Sequence, residues 1–161
     1  FSSRLVKDIT MGSTFPIWEK TPLSVAYYTM RYSGTFANPV LDSDGNFKGL
    51  ITDRDLFDKI DLISTIKRNN PGIDMDEDPW TWSGIRNVAS YFIETNQIKL
   101  PSETIESILI RDPVVAYSNE SIGSVAKKMK DGNFNHLPVL DGPSRLTGML
   151  YDLDLMGVFN V

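Results

Sequence analysis

Apolar residues along the chain recur with the spacings of short amphipathic helices and strands. A helix that packs on one face carries apolar side chains at positions i, i+3, i+4 and i+7. The first stripe of this kind consists of Leu23, Ala26, Tyr27 and Met30. Thr21 is the predicted N-cap of this helix and Pro22 its first residue, where a missing N–H costs nothing, and Gly34 ends it.

A hairpin and a second helix follow the first helix. Residues 38–41 and 47–51 are compact apolar strands, and the segment between them contains the Asp, Ser, Gly and Asn residues of tight turns. The inner face of the second helix consists of Leu56, Phe57, Ile60 and Ile63. A lead-in helix over residues 4–11 and an extended run over residues 15–19 precede these elements. The predicted order is β-α-β-β-α.

The chain contains this pattern twice. The segments GLITDRDL and GMLYDLDL begin at residues 49 and 148, so their offset is 148 − 49 = 99 residues. At the same offset, the sequence PVLD occurs at residues 39–42 and again at 138–141. A repeat fixes the architecture before single elements are assigned. Copies of about fifty residues are near the lower limit for independent folding, so we expect each to need the other to cover its apolar face. We therefore predict an α+β (mixed α/β) fold in which two β-α-β-β-α modules pack about a pseudo-two-fold axis.

The second copy predicts the same elements as the first. The apolar stripe of its first helix consists of Ile122, Val125, Ala126 and Met129. Residues 113–117 are extended, residues 137–140 and 146–150 are the hairpin strands, and Asp152 caps the closing helix.

Between the two copies lies a segment of different character. We divide the chain into a first module at residues 4–68, a helical insert at 69–104 and a second module at 105–161. The insert contains an acidic loop at residues 74–78 and a helix that starts at Asp78. The apolar side of this helix consists of Trp82, Ile85, Ala89, Phe92 and Ile93. We interpret the tryptophans as core residues rather than as a ligand box, because aromatic side chains dominate buried area.

Composition narrows the functional classes. The 161 residues are 41% hydrophobic and 23% charged, which is ordinary for a globular protein. A net charge of −5 argues against a nucleic-acid surface. Cysteine is absent, which excludes disulfides and thiolate metal sites and fits a reducing, cytoplasmic compartment. We find no apolar run near the ~20 residues of a membrane span and no signal-peptide pattern, so we expect no membrane partner.

The repeated Thr-x-x-Asp segment carries the clearest chemistry. Thr52 or Asp53 caps the second helix, and the side chains of Thr52 and Asp55 lie on one side of its first turn. A hydroxyl can donate and accept hydrogen bonds, and a carboxylate can accept two from the vicinal hydroxyls of a ribose. N–H groups at a helix start favour a phosphate beside them. The alternative is that Thr52 and Asp53 only cap the helix and that Asp55 is solvated.

The chain contains, in this order and in duplicate, an apolar Pro-Val strand, a turn, a glycine and Thr-x-x-Asp. This arrangement resembles the cystathionine-β-synthase (CBS) domain, which occurs in pairs. The resemblance covers residues 4–60 and 105–161 and leaves the insert uncovered. It implies a sensor that binds an adenosine-containing ligand, such as AMP, ADP, ATP or an S-adenosylmethionine-type compound, in two clefts between the repeats. It also implies homodimers formed through the helices, and no required cofactor.

The resemblance further implies which residues line the two clefts. In relatives, the Thr and Asp of Thr-x-x-Asp contact phosphate and ribose, and the base lies against residues that lead into the first strand, often those of the other repeat. The first cleft would consist of Thr52, Asp55, Asp112, Pro113, Val114 and His136. The second would consist of Asp154, Thr14, Phe15 and Pro16. Tyr151 replaces the small hydroxyl residue of this second cleft, so its bulk could fill the phosphate space.

Three further features each have a functional and a structural interpretation. Arg54 could reach a phosphate or lie on a solvated helix face. His136 could face the phosphate or be an ordinary surface or core residue, and a single histidine is too little for a metal site. The acidic loop at residues 74–78 lacks the EF-hand pattern and is interpreted as solvated, so we expect no metal site.

The leading hypothesis is therefore a regulatory ligand-sensing module rather than an enzyme. An enzyme would need a nucleophile with a base, or poised acid-base residues, and the chain has no Cys, one His and no glycine-rich phosphate loop. The other alternative is a structural module with empty clefts that mediates contact between proteins. The Thr and Asp residues indicate only that a sugar and a phosphate are bound. The pattern therefore does not identify the particular adenosyl ligand or the regulated protein.

Overall fold

Two three-stranded sheets organise the chain, one for each copy of the repeat. The computed structural model describes residues 4–9, 11, 14–69, 71–72 and 84–159. The strands are β1 (Ile17–Trp18), β2 (Ala37–Leu41), β3 (Phe47–Thr52), β4 (Ala116–Tyr117), β5 (His136–Asp141) and β6 (Arg145–Tyr151). The helices are α1 (Leu23–Ser33), α2 (Asp53–Lys59), α3 (Leu62–Asn69), α4 (Ile85–Glu94), α5 (Ile122–Gly132) and α6 (Asp152–Phe159). Short 3₁₀ helices lie at Val6–Asp8 and Ile105–Ser107.

The two sheets have equivalent strand orders, β1-β2-β3 and β4-β5-β6. The first strand of each is parallel to the second, with Ile17 opposite Val40 and Ala116 opposite Val139. Both pairs are related by the same offset, since 116 − 17 and 139 − 40 each equal 99. The sequence repeat is thus also a repeat of strand register, which confirms the mixed α+β class and the duplicated β-α-β-β-α order.

The elements form two compact units. The first contains Phe1–Glu19, Asn38–Leu50 and Ile110–Val161, and the second contains Lys20–Ala37 and Ile51–Leu109. Most strand residues therefore belong to the first unit together with α5 and α6, whereas α1 to α4 belong to the second. The division into modules at residues 4–68 and 105–161, with an insert at 69–104, stays a prediction from the sequence.

The core of the first unit combines the second sheet with α5, α6 and the N-terminal 3₁₀ helix. It consists of Val6, Ile9, Ala116, Ile122, Val125, Met129, Leu137, Val139, Leu150, Leu155 and Val158. Leu137 and Val139 are two residues apart on β5, which is the spacing of side chains on one face of a strand. Val125 and Met129 are four residues apart on α5, which is the spacing of side chains on one face of a helix. Full burial of an aliphatic side chain of this size contributes about 1.5–3 kcal/mol.

Hydrogen bonds within the first unit also join the two hairpins. The Phe47 N–H donates to the Ser144 carbonyl at 2.7 Å, and the Ser144 hydroxyl donates to Asn46 Oδ1 at 3.1 Å. Near the end of β3, Leu50 and Ile110 exchange backbone hydrogen bonds of 3.0 and 2.7 Å. Backbone pairing thus connects the first copy of the repeat to the second along β3.

In the described part of the second unit, four helices pack through their apolar faces. Its buried residues include Leu23, Ala26, Tyr27, Met30, Leu56, Phe57, Leu62, Ile66, Ile85, Ala89, Phe92 and Ile93. The stripe predicted for the first helix is buried as expected, and α4 buries the described part of the stripe predicted for the insert helix. Pro22 and Thr104 form an isolated bridge that ties the start of α1 to the end of the insert.

Two local predictions in the first copy were wrong. Pro22 has an extended backbone (φ −60°, ψ 149°) and is itself the N-cap, so α1 begins at Leu23 and Thr21 does not cap it. The predicted lead-in helix over residues 4–11 is only a 3₁₀ turn at Val6–Asp8. Gly34 does end α1, with a φ of 69° in the left-handed region that glycine adopts without strain.

The helix predicted after β3 is two helices. Asp61 has a φ of 50°, and a left-handed residue cannot continue a right-handed helix, so α2 ends at Lys59 and α3 begins at Leu62. This break leaves Ile60 only half-buried, and the side chain of Ile63 lies outside the described part of the structure. The start at Asp78, the acidic loop at 74–78 and Trp82 also lie outside the described residues.

Candidate functional site

The first Thr-x-x-Asp segment lies where β3 ends and α2 begins. Thr52 is the N-cap, with an extended backbone (φ −117°, ψ 158°). Its Oγ1 accepts a hydrogen bond from the Asp55 N–H at 3.2 Å, and Asp55 Oδ2 accepts one from the Thr52 N–H at 3.3 Å. The Thr52 hydroxyl also donates to Asp55 Oδ2 at 2.6 Å. The two residues form a capping box, which satisfies N–H groups that the helix itself leaves without partners.

The capping box holds the Asp55 carboxylate without using both of its oxygens. All three hydrogen bonds involve Oδ2 or the Thr52 hydroxyl, so Oδ1 takes no part in the box. The 2.6 Å bond has the length of a charge-assisted hydroxyl–carboxylate bond. A half-buried carboxylate fixed in this way can still accept hydrogen bonds from a ribose through its other oxygen. Helix capping and ligand binding are therefore compatible roles for the same pair.

Asp53 is the buried acid of this segment, and its sequence position predicts only a capping role. Asp53 as a whole residue is 8% exposed. Its Oδ1 accepts a hydrogen bond from the Arg54 N–H at 2.9 Å, and its Oδ2 forms an ion pair with Arg86 Nε of α4. The Arg86 guanidinium lies 4.3 Å from the centroid of the Phe36 ring. One carboxylate thus links the start of α2 to the insert helix.

The sequence contains no local signal for this link. Asp53 and Arg86 are 33 positions apart, and neither lies in a recognisable motif with the other. Arg54 is exposed, which suits both of its predicted roles.

The second copy keeps only half of the capping box. Tyr151 stands at the position of Thr52 and has no oxygen on its β-carbon, but its N–H still donates to Asp154 Oδ2 at 2.8 Å. Asp152, predicted as the cap, is instead the first residue of α6. Burial raises the pKa of Tyr151 above its ordinary value of 10.0, and the Asp154 carboxylate raises it further. The phenol therefore stays protonated near neutral pH.

His136 lies directly opposite Tyr151 in the β5–β6 ladder. Their ring centroids are 6.3 Å apart, with the ring planes inclined at 49°. Burial lowers the pKa of His136 below its ordinary value of 6.5, and the nearby Asp152 carboxylate opposes this shift. The predicted first cleft grouped His136 with Thr52, which belongs to the other unit, and that grouping stays a prediction. The neighbour observed for His136 is Tyr151, which occupies in the second copy the position that Thr52 has in the first.

The two segments that lead into the first strands belong to the same unit as Asp154. In the first copy, the fully buried Asn38 amide donates to the Phe15 carbonyl at 2.8 Å and so holds the backbone between Thr14 and Pro16. Asn38 is not among the residues that the sequence predicted to line a cleft. Its position directly before the Pro-Val strand was the signal that could have identified it.

In the second copy, the corresponding lead-in contains a left-handed residue. Asp112 has a φ of 53° and is exposed, Pro113 is half-buried, and Val114 is 44% exposed. An exposed apolar residue beside a strand start is available to contact a ligand base, which is compatible with the predicted role of this segment.

Within the described residues, no group of three or more His, Cys, Asp or Glu side chains could hold a metal ion. In the same part of the chain, no helix is both long enough and apolar enough to cross a membrane.

Curated relatives match the chain in sequence. A CBS domain-containing protein of Dictyostelium discoideum is 31% identical over 152 residues, which cover 94% of this chain and 88% of that protein. The L-aspartate semialdehyde sulfurtransferase of Methanocaldococcus jannaschii is 36% identical over 62 residues, which cover 38% of this chain and only 12% of that enzyme. Most of the sulfurtransferase thus has no counterpart in this match.

Solved structures share the fold. The CBS-pair protein CBSX2, crystallised in complex with AMP, superposes with a TM-score of 0.66 at 15% identity, covering 97% of this chain and 96% of that one. A CBS domain pair in complex with 5′-methylthioadenosine and S-adenosyl-L-methionine superposes with a TM-score of 0.60 at 21% identity, covering 98% and 96%. The model of the CBS domain family matches residues 6–62 and 105–160, more than half of the chain. The chain therefore belongs to the CBS domain family and contains a tandem pair of CBS domains.

Proposed function

We propose that this chain is a regulatory module that binds an adenosine-containing ligand, either AMP, ADP, ATP or an S-adenosyl compound. The observation that carries the proposal is the Asp55 carboxylate, which Thr52 holds through Oδ2 while Oδ1 takes no part in the capping box. The structures of CBS pairs with AMP and with 5′-methylthioadenosine and S-adenosyl-L-methionine support the same ligand class.

In the proposed first cleft, Asp55 accepts hydrogen bonds from the ribose hydroxyls. The Arg54 guanidinium supplies positive charge to the phosphate, and the Thr52 hydroxyl can donate to it only by turning its proton away from Asp55 Oδ2. The base and the remaining phosphate oxygens contact Asp112, Pro113, Val114 and His136.

In the proposed second cleft, Asp154 takes the ribose, and the lead-in segment takes the base. This segment consists of Thr14, Phe15 and Pro16. Tyr151 offers no small hydroxyl to a phosphate at this position, so the second cleft binds a phosphorylated ligand more weakly than the first or prefers a ligand without phosphate.

We further propose that the module does no catalysis and acts by changing the state of a regulated protein. This is supported by the lack of cysteine, by the single histidine and by the structural role that the Thr52–Asp55 pair already has in the capping box. The lack of cysteine also supports a reducing compartment such as the cytoplasm.

Thermal unfolding with and without AMP, ADP, ATP and S-adenosylmethionine tests the ligand class. A ligand at about 100 times its dissociation constant stabilises the folded state by about 2.7 kcal/mol, which raises the melting temperature clearly. GMP is the control, because it keeps the ribose phosphate and changes only the base. The proposal fails if none of the adenosyl compounds raises the melting temperature at millimolar concentration.

A second candidate function is a protein-interaction module, and exposed aromatic residues on α1 favour it. Tyr32 is 79% exposed and Tyr28 is 39% exposed, and their rings stack with centroids 5.9 Å apart and planes inclined at 14°. Val25 on the same helix is 51% exposed. Contiguous apolar surface of this kind is typical of an interface. We propose that it forms a homodimer, a role that is compatible with ligand sensing.

A further inference from the structure

The helices of the second unit line an open-sided cavity of about 320 Å³, and neither Thr52 nor Asp55 is part of its wall. Four parts of the unit supply its wall: α1, the loop before β2, the start of α2, and α4 with the preceding Gly84. Its volume lies at the lower end of the range of small-molecule sites. A cavity of mixed apolar and polar lining with convergent donors is the usual form of such a site.

The apolar part of the wall consists of side chains from α1 and α2. Met30 and Leu56 are almost fully buried, and Phe57 is 4% exposed. These residues would contact the body of a ligand and exclude water from it. The adjacent polar groups would then act in a less polar environment than bulk water, where hydrogen bonds and ion pairs are stronger.

The polar part of the wall combines the guanidinium groups of Arg31 and Arg86 with the Asp53 carboxylate and the Ser90 hydroxyl. Arg86 is fixed by its ion pair with Asp53 through Nε and by its contact with the Phe36 ring, and its two Nη groups lie outside that pair. Arg31 lines the same cavity, with Nε 3.5 Å from Glu94 Oε1. A guanidinium held in one orientation can bind a carboxylate with two parallel hydrogen bonds.

Tyr27 adds a buried donor to the wall. The residue is 3% exposed, and its hydroxyl has no hydrogen-bond partner of good geometry among the described residues. Burial raises the pKa of Tyr27 above 10.0, although the nearby Ser90 hydroxyl works in the opposite direction. The phenol therefore keeps its proton, and its poor geometry towards the Ser90 hydroxyl means that a well-placed acceptor would bind it more favourably.

We propose that this cavity is a second ligand site, which takes a small organic carboxylate with an apolar or aromatic body. The carboxylate would bind Arg86 at the polar wall, and the body would lie against Met30, Leu56 and Phe57. An oxygen of the ligand or of its carboxylate would supply a better-placed acceptor for the Tyr27 hydroxyl than Ser90 offers. The site would be separate from the proposed adenosyl clefts, so its occupancy does not require AMP.

The test uses benzoate as the probe and the methyl groups of Met30 and Leu56 as reporters. We expect millimolar benzoate to shift the NMR signals of both methyl groups, with no shift of Met129, whose methyl lies in the core of the first unit. Uncharged benzamide has the same shape and should bind at least tenfold more weakly. No shift at Met30 and Leu56, or equal binding of benzoate and benzamide, would overturn the proposal.

Variants separate the new site from the adenosyl clefts. Arg86→Lys keeps the positive charge beside Asp53 but removes the planar fork, so benzoate should bind about tenfold more weakly. The matched control is Arg145→Lys, because Arg145 is exposed and lies outside the cavity. Tyr27→Phe is a second test variant, which removes only the hydroxyl and should fold normally. It should weaken the binding of benzoate without changing the affinity for AMP. Unchanged benzoate affinity in both Arg86→Lys and Tyr27→Phe would contradict the assignment, whatever the response to AMP.

Discussion

Asp53 and Arg86 form an ion pair that joins the first residue of α2 to the insert helix α4. The Asp53 side chain is 12% exposed, whereas the Arg86 side chain is 49% exposed. The acid is therefore the member that depends on the pair, because its charge would otherwise lie in a poorly solvated position. The contact between Arg86 and the Phe36 ring keeps the guanidinium in place.

Replacing Arg86 should destabilise the protein more than replacing an arginine in an exposed ion pair. We expect Arg86→Ala to lower the free energy of unfolding by about 1–3 kcal/mol, because it leaves the Asp53 carboxylate buried without its partner. Urea unfolding followed by circular dichroism measures the change. The control is Arg145→Ala, since Arg145 is 3.9 Å from Asp141 at a highly exposed position and should contribute less than about 1 kcal/mol. Equal losses in both variants would show that the Asp53 charge is solvated after all.

The Thr-x-x-Asp segment of the first copy and the Tyr-x-x-Asp segment of the second should differ in their contribution to ligand binding. Asp55→Asn removes a charge-assisted hydrogen bond of about 1.5–3 kcal/mol, so AMP should bind at least tenfold more weakly. Asp154→Asn should have a smaller effect, because Tyr151 replaces the threonine that would complete its capping box. Isothermal titration calorimetry measures both affinities, and Asp58→Asn, on the exposed side of α2, is the control. Equal losses would remove the proposed asymmetry, and no loss from either would leave Thr52 and Asp55 as a helix cap only.

The repeat made the fold predictable, and the residue type at the start of the second helix predicted a cap at Thr52 or Asp53, whereas the reciprocal bonds between Thr52 and Asp55 were not predicted. Gly34 ended α1 as expected, because a residue with positive φ at a helix end is a local requirement that glycine meets. The break at Asp61 was not predictable, because nothing in the apolar spacing of the second helix distinguishes one helix from two.

Sequence patterns could not predict the long-range contacts between side chains. Asp53 was considered only as a cap because its partner Arg86 lies on the insert, for which the repeat offers no template. The contact between His136 and Tyr151 depends on strand register and on the substitution in the second copy, so it became visible only with the hairpin in place.

Acidification between pH 7 and pH 5 should destabilise the protein through His136. Burial lowers the pKa of this histidine in the folded state below 6.5, so the unfolded chain binds its proton first as the pH falls. The stability contributed by neutral His136 is therefore present above pH 6.5 and is lost as the pH falls through 6.5 towards the folded pKa. Urea midpoints at pH 7.5 and pH 5.0 measure the effect.

The histidine can be separated from the carboxylates by substitution. Glu103 and Glu120 also have lowered pKa values, but their ordinary value is 4.5, so their contribution is lost mainly below that pH. His136→Gln should flatten the stability profile between pH 5 and 7.5 and leave the loss at lower pH unchanged. A profile that keeps its slope in this variant would assign the titration to another group.

The proposed homodimer should depend on the exposed tyrosines of α1. We expect light scattering at tens of micromolar to give the mass of a dimer for the wild-type chain. Tyr28→Ser combined with Tyr32→Ser should shift the mass towards the monomer, because it removes the stacked aromatic pair. The control is Tyr91→Ser, since Tyr91 is 60% exposed on α4 and is not one of the residues that line this patch. A monomer mass for the wild type, or an unchanged dimer in the double variant, would exclude this surface as the interface.

Ligand binding at Thr52 and Asp55 should reach α4 through Asp53. A ligand that orders the first turn of α2 also restrains Asp53, and the ion pair transmits this restraint to Arg86. A bound ligand can shift the protein only if it binds one arrangement better than another. We expect saturating AMP to slow amide hydrogen exchange in Ile85–Glu94, with a smaller effect in Leu62–Asn69 of α3, which serves as the internal control. The double variant Asp53→Asn with Arg86→Gln keeps a hydrogen-bonding pair but removes both charges, and it should lose the effect in α4 while keeping the slower exchange near Thr52. If α4 slows equally in the double variant, the ion pair is not the route. If α4 never responds while the residues around Thr52 do, the ligand assignment stands and the insert helix receives no signal from the site.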